Sequence, residues 1–482
     1  MNKNKSVVIL GGGFAGIRIA YLLNKLGYKI SLIEKSQNLG GMVQTVKYEY
    51  KGEQFLFDFG PHIFFEDYVN EYHDLLGDDL ITLSDRFSMY TEKVILSYPL
   101  RPVELFTKMS PLVTFSYLLD YFYNWAKISI KGETDLNLET FMTKRFGKKI
   151  FNFFYFPYIE KCCGLLPDQI SILWGKEREN VSGKSLMKNI LNKIVAQLNK
   201  KIKERLAKTN DPSAKMISSW YPHYGAGQLC NAMTATLNNQ NIYLNTKISQ
   251  INVEGHTVQN VIVDTEGSQK IISGDYYIST LPLPTLFTYF NPLVADQVEV
   301  AQKLHYRHIQ LVNLIINKER ILDSLEMFSM NREHLFKRVY EPKAMSVLMA
   351  PKGKTSLSLE VCHNENDFIS RMTKEEMVKK CAEDLIGLNL LETVDDILDS
   401  FIIEIPNAYP IYTKGFEVSR NLLLDEIFKF DNLLTSGRQG LFRYHAMTNE
   451  IMEMADNVVH FIEGNLDKNL ERSISKWGQT FY

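Results

Sequence analysis

The sequence predicts an α/β protein: a Rossmann-like domain gathered from separate parts of the chain, joined to a discontinuous mixed α+β region. Three stretches predict it. "SVVILGGGFAGIRIAYLLNKLGYKISLIEK" reads as strand, glycine turn, amphipathic helix, glycine stop and strand, which is one βαβ unit. "NIYLNTKISQINVEGHTVQNVIVDTEGSQKIISGDYYISTLP" alternates apolar and polar residues between the turns "EGH", "EGS" and "SGD", and so reads as several strands. "NLLTSGRQGLFRYHAMTNEIMEMADNVVHFIEGNL" closes with a strand, a glycine loop and an amphipathic helix. Residues 1–75, 215–300 and 425–482 are expected to build one discontinuous domain, with a mainly helical cap region over 76–214 and a mixed α/β region over 301–424.

With 482 residues, 45% of them hydrophobic, the chain has ample core for two or three domains. A formal net charge of -2 gives no overall pull toward nucleic acid or an anionic membrane, although a local basic pocket stays open. Five cysteines, two adjacent and none in a CxxC, speak against a disulfide framework or a zinc site and for a reducing compartment. The apolar run of "MNKNKSVVILGGG" stops at Gly11, too short for the core of a signal peptide. "LVTFSYLLDYFYNWAKISI" is aromatic and apolar, but Asp120 and Lys127 interrupt it, and a spanning helix needs about 20 mostly apolar residues. It reads as a buried or partner-facing helix, with no integral membrane segment, and the protein is placed in the cytoplasm.

Gly11, Gly13 and Gly16 follow a strand and open a helix. The first allows the tight turn, the second lets backbone approach a pyrophosphate, and the third lets helix pack on strand. Glu34 ends the second strand about 20 residues later, where a carboxylate can accept from a ribose 2′-hydroxyl. Glycines also serve plain turns, but strand, helix and acidic residue in register point to a dinucleotide. The doublet Gly40-Gly41 offers a second backbone approach, which favours FAD over NAD. Downstream, Gly437, Arg438 and Gly440 precede the final helix, whose amides could face a flavin carbonyl. In "FDFGPHIFF", His62 sits among phenylalanines, and a buried imidazole without a partner is costly. Either backbone carbonyls satisfy it or it faces a ligand.

Taken in order, "GGGFAG", "EKSQNLGGMVQT", "FDFGPHIFF", "SYPLRP", "FPYIEKCCGLLP", "YPHYGAGQL", "ISTLPLP", "LHYRHI", "AYPIY" and "GRQGLFRY" resemble the FAD-dependent superfamily of UDP-galactopyranose mutases, protoporphyrinogen oxidase-like proteins and amine oxidases. The resemblance implies an FAD-binding Rossmann-like fold of the GR2 type, with Gly60, Ile248 and Met447 completing the cofactor-binding set. It implies that His62 faces the flavin ring, that Arg307 in "LHYRHI" contacts flavin and substrate diphosphate, and that Arg438 and Tyr444 meet the flavin pyrophosphate and a substrate phosphate. The chain departs from the mutase pattern where Cys163 replaces a uracil-stacking tryptophan, Phe336 a phosphate-binding tyrosine and Ala446 an acidic residue.

Two enzymatic readings follow from the resemblance. The first is a mutase-like enzyme on a nucleotide-activated sugar, in which N5 of reduced FAD attacks the anomeric carbon without net electron flow and a reductant such as NAD(P)H loads the flavin. The second is a flavin oxidoreductase taking hydride from a small molecule. A third reading, a flavin-free protein-binding module, is disfavoured by the intact glycines and Glu34. His305 and His308 stand i, i+3, but two histidines without further ligands do not make a metal site, and none is expected.

Overall fold

The structure, a computed structural model, describes residues 5–464 apart from 84–86, 92–93, 99–103, 105–106, 132–136, 178–218, 293–294 and 445–446. Ala446 and part of "SYPLRP" lie outside the described residues.

Val7, Val8, Ile9 and Leu10 are wholly buried because their strand is central. Ser6–Leu10 pairs in parallel with Lys29–Ile33 on one side and Tyr276–Ser279 on the other. Asn241–Tyr243 and Leu433–Thr435 extend the sheet at its two edges, also in parallel. A strand covered on both faces needs an unbroken apolar run rather than alternation. The helix Phe14–Lys25 packs on the helix Thr448–Ile462, and buried Arg18 spans the two, its Nη2 2.9 Å from Asp456 Oδ1 and its Nη1 on Glu71. Both ends of the chain therefore meet around one sheet.

A second sheet of seven strands runs in the order Ile397–Pro410, Tyr306–Ile316, Thr355–His363, Arg338–Tyr340, Glu326–Ser329, Phe87–Thr91 and Val94–Tyr98. One face carries Val312, Leu314, Leu357 and Leu359 against Met377, Cys381 and Leu385 of the helix Lys374–Gly387. The other face is turned toward a large cavity, described below. The stretch 80–98, expected within a mainly helical region, instead forms the strands Leu80–Leu83, Phe87–Thr91 and Val94–Tyr98. Their β-branched and aromatic residues are too short a run to show period-two alternation before pairing settles the matter. Helices follow from Pro111, and among the described residues none is long and apolar enough to cross a membrane.

Candidate active site

A cavity of about 960 Å³ opens at the carboxyl end of the parallel sheet and continues over the seven-stranded sheet. Its volume is at the upper end of small-molecule sites. At its first end lies the glycine turn. Gly11, with φ +107°, donates its N–H to Ile33 O at 2.9 Å, and a Cβ there would come within 2.4 Å of Thr280 Oγ1. A Cβ on Gly16 would stand 2.0 Å from Gly11 O, so this position holds helix against strand and does not reach the cavity. Gly13 differs: its added Cβ meets nothing nearer than 3.9 Å, and the open space is cavity. That is a cradle a side chain would fill. Gly40 stands behind it, donating to Gly12 O at 2.8 Å, whereas Gly41 lines the cavity. Glu34 accepts from Gly12 N at 2.7 Å and from Ser36 N at 2.9 Å, which fixes its carboxylate at the cavity edge near Thr246, Lys247 and Ile248.

The "FDFGPHIFF" stretch divides into core and wall. Phe57 and Phe64 are wholly buried in the core, while Phe59, Gly60, Pro61, His62, Ile63 and Phe65 line the cavity. Asp58 anchors the loop by accepting from Thr45 Oγ1 at 2.6 Å, Tyr221 OH at 2.5 Å and Ala226 N at 3.1 Å; burial pushes its carboxyl up to about 6. His62 Nδ1 donates to Gly60 O at 2.8 Å, so in the neutral ring Nε2 carries no proton. Burial, helped by the Arg438 charge, pushes this imidazole down to about 4. Thr448 Oγ1 donates to Ile63 O at 2.7 Å and ties the loop to the last helix, beside Gly437, Arg438 and Met447 on the cavity wall.

Beyond His62 the cavity becomes a chamber with an ionic floor and aromatic walls. Lys337 Nζ lies 3.0 Å from Glu360 Oε2 and 4.4 Å from the Tyr409 ring centroid. Arg338 bonds Glu326 Oε2 at 2.7 Å and also Glu360. Burial pushes Glu360 up, but Arg338 and Lys337 pull harder and hold it at about 2. For Glu326 burial wins over Arg338, and its carboxyl is raised. Two cations thus face two carboxylates. Tyr409 stacks on Tyr444 at 5.2 Å, Tyr444 meets Trp174 at 5.4 Å, and Arg438 lies 5.0 Å over Tyr409. Phe141, Phe146, Tyr155 and Tyr158 complete the wall. Tyr155 comes from a π-helical turn, Phe151–Tyr155, and π-bulges inside helices recur at functional sites.

Of the residues singled out from sequence, Gly11, Gly13, Glu34, Gly41, Gly60, His62, Ile248, Gly437, Arg438, Tyr444 and Met447 come together around this one cavity. Arg307 does not. Its neighbour Tyr306 donates to Gln439 O at 2.9 Å, and a bulge between Arg307 and Ile309 breaks the strand's alternation, so that Ile309 lines the cavity while the Arg307 guanidinium turns to the helix Phe156–Cys163. There Nη2 donates to Lys161 O at 3.1 Å and Cys362 O at 3.0 Å, with Asp367 at 3.5 Å from Nη1. The guanidinium serves the carbonyl end of the helix Phe156–Cys163, where a cation is favoured. Cys163 and Phe336 are also buried away from the cavity. Trp174, Lys337, Arg338, Glu326 and Glu360 were missed; a glutamate inside the apolar strand run "SLSLEVC" is the one signal that could have found part of this group. His308 stacks on His363 at 5.3 Å, and among the described residues no acid, histidine or cysteine cluster can hold a metal.

The open cradle at Gly13, with Glu34 beyond it and His62 along the same cavity, fits an extended flavin dinucleotide. Comparison with known proteins agrees. The NAD(P)-binding Rossmann-like domain family matches residues 9–77, and the flavin containing amine oxidoreductase family matches residues 202–397. Protoporphyrinogen oxidase 2 of Arabidopsis thaliana is 22% identical over 412 residues, 79% of this chain and 78% of that protein. Carotenoid phi-ring synthase of Chlorobaculum tepidum is 29% identical over 138 residues, 26% of this chain, and the match spans only 21% of that protein's length. A crystal structure of reduced UDP-galactopyranose mutase superposes with a TM-score of 0.79 at 20% identity, over 96% of this chain and 94% of that one, which fixes the fold. The chain thus combines a Rossmann-like segment with a flavin containing amine oxidoreductase segment and is a flavin-dependent enzyme.

Proposed function

We propose that this enzyme acts on a nucleotide-activated sugar in the manner of a UDP-galactopyranose mutase, with reduced FAD and no net oxidation of substrate. The observation that carries the reading is the chamber beside His62, where flat aromatic faces stand next to cationic groups: Trp174, Tyr155 and Tyr158 can stack a base, and Tyr444, Arg438 and Lys337 can meet phosphate oxygens. Reduced FAD, once bound, supplies the nucleophilic nitrogen for attack at an anomeric carbon. Gly11, Gly13, Gly41, Gly437 and Arg438 hold its pyrophosphate, Glu34 and Ile248 its adenosine end, and Gly60, His62 and Met447 the ring. His62, neutral and with Nε2 bare, accepts a hydrogen bond and brings no charge. Trp174 takes the stacking role that Cys163 does not fill. Residues 1–75, 215–300 and 425–482 form the cofactor domain in this reading.

A second reading, hydride transfer from a small molecule to FAD, is favoured by one specific observation. Glu326 and Glu360 already neutralise Lys337 and Arg338, and Arg307 is spent elsewhere, so the floor carries little net charge for a diphosphate. Incubation of dithionite-reduced protein with a panel of nucleotide sugars, followed by chromatography for ring isomers, separates the two. Isomer formed only by the reduced protein supports the mutase reading. No isomer from any sugar, with steady dye reduction by another small molecule, establishes the second.

A further inference from the structure

Between the first two strands of the seven-stranded sheet the register breaks at His308. Arg307 stands opposite Tyr409 and Ile309 opposite Ile405, so three residues, Pro406, Asn407 and Ala408, bulge out against one. The bulge belongs to the cavity wall: Ile405, Pro406, Asn407 and Tyr409 all line it, and Asn407 holds a left-handed backbone at φ +52°. Backbone groups that have left the ladder need other partners, and two side chains supply them. From the turn that carries Gly437 and Arg438, Gln439 on the cavity wall donates Nε2 to Asn407 O at 2.6 Å. From the strand behind the bulge, His308 Nδ1 accepts the Asn407 N–H at 3.2 Å.

We propose that His308 is a positioning residue for this wall, and that its protonation releases the Asn407 bulge, so that the chamber loosens in acid. A backbone N–H can only donate. The ring nitrogen facing it is therefore bare, and the one proton of the neutral imidazole sits on Nε2. A second proton goes to Nδ1, where an N–H would then confront an N–H. Protonation thus abolishes the bond rather than weakening it.

The groups around the ring set when this happens. His363 stacks on it at 5.3 Å from the neighbouring strand, Arg307 adjoins it in its own, and Glu365, whose Oε1 is 3.9 Å from Nε2, and Asp367 reach it from the loop after His363. The strand Ile397–Pro410 brings the Asn407 amide, with Glu404 opposite Gln310 beyond the bulge. Burial, then the His363 and Arg307 charges, hold the imidazole below its ordinary value despite the two carboxylates. The neutral ring is the form the fold prefers, so the bond is whole at neutral pH and is lost as pH falls through the acid side of the histidine range. The side chain is 16% exposed, which gives the proton a route. The bulge carries the change inward, because Asn407 O anchors Gln439 and, two residues on, Tyr409 holds Tyr444 and Arg438 against its ring. None of this depends on which substrate fills the chamber.

Hydrogen exchange at the Asn407 amide of the flavin-loaded full chain, resolved by fragmentation mass spectrometry and expressed as protection relative to the free-peptide rate, tests the proposal. Protection is expected to fall about tenfold or more between about pH 7.5 and 5, while Val312, paired on both sides in the same sheet, keeps its own. His308→Asn sets a carbonyl oxygen where Nδ1 stood and takes up no proton, so it is expected to hold Asn407 protected at both pH values. His308→Leu offers no acceptor and is expected to leave Asn407 unprotected throughout. Wild-type protection that ignores pH, or an acid loss that persists in His308→Asn, overturns the proposal. So does loss of Val312 protection together with that of Asn407, which would mean global unfolding. If His308→Leu does not fold, the wild type and His308→Asn still decide.

Discussion

The two ends of the cavity are built by different means. At the end with the glycine turn the wall is backbone: Gly13 and Gly41 line it directly, and Glu34 is held by two amide hydrogens. At the far end the wall is side chain, with Lys337, Arg338, Glu326 and Glu360 compensating one another on neighbouring strands and aromatic residues arriving from a separate helical region. A backbone wall is specified by where glycine occurs within a few residues. A side-chain wall is specified by which strands pair, and it can change its ligand without changing the fold.

The sharpest way to break the contrast is Gly13→Leu. The side chain enters open cavity rather than a packed neighbour, so the fold should survive while flavin is lost through gel filtration, a fall of about four decades in affinity or ~5.5 kcal/mol. Retained yellow colour would show that the cradle is not where the dinucleotide lies. Glu360→Gln comes next, since it leaves Lys337 and Arg338 buried with one carboxylate between them. Urea unfolding should show a loss of about 3–5 kcal/mol. The same carboxylate has a pH signature: held at about 2 when folded, it stabilises fully above its ordinary range near 4.5 and loses that contribution as pH falls toward 2. The acid limb of a stability–pH curve should therefore flatten in the variant.

Arg307→Ala is expected to cost about 2–3 kcal/mol of stability from the two orphaned carbonyls, with KM for the substrate unchanged. A large rise in KM at unaltered stability would return this arginine to the chamber. The smallest effect is a predicted absence. With the His62 imidazole pushed down to about 4, its ring stays neutral from about pH 5.5 to 8, so the ratio of wild-type to His62→Gln activity should be flat over that interval. A step near 6.5 would mean that the ring is solvated rather than buried beside Arg438.

These contrasts also explain what could be read from sequence. The βαβ unit, the glycine triplet and Glu34 are local features, and their spacing carries their geometry. His62 was legible because glycine and proline fence it into a loop. Arg307 was not, because its partners at Lys161 and Cys362 are brought to it by a helix end and a strand remote in the chain, and because a bulge between Arg307 and Ile309, invisible in the spacing, interrupts the alternation. The ionic floor was opaque for the same reason: Arg338 pairs opposite Glu360 and next to Phe328 only once three strands have found their register.

The strand Leu433–Thr435 completes the parallel sheet, and Arg18 in the first helix finds Asp456 only in the last. During synthesis the glycine turn is therefore made hundreds of residues before the part that closes over it. A chain cut short before residue 433 lacks the strand that pairs with Tyr276–Ser279 and leaves that sheet edge unpaired, a ready substrate for quality-control proteases.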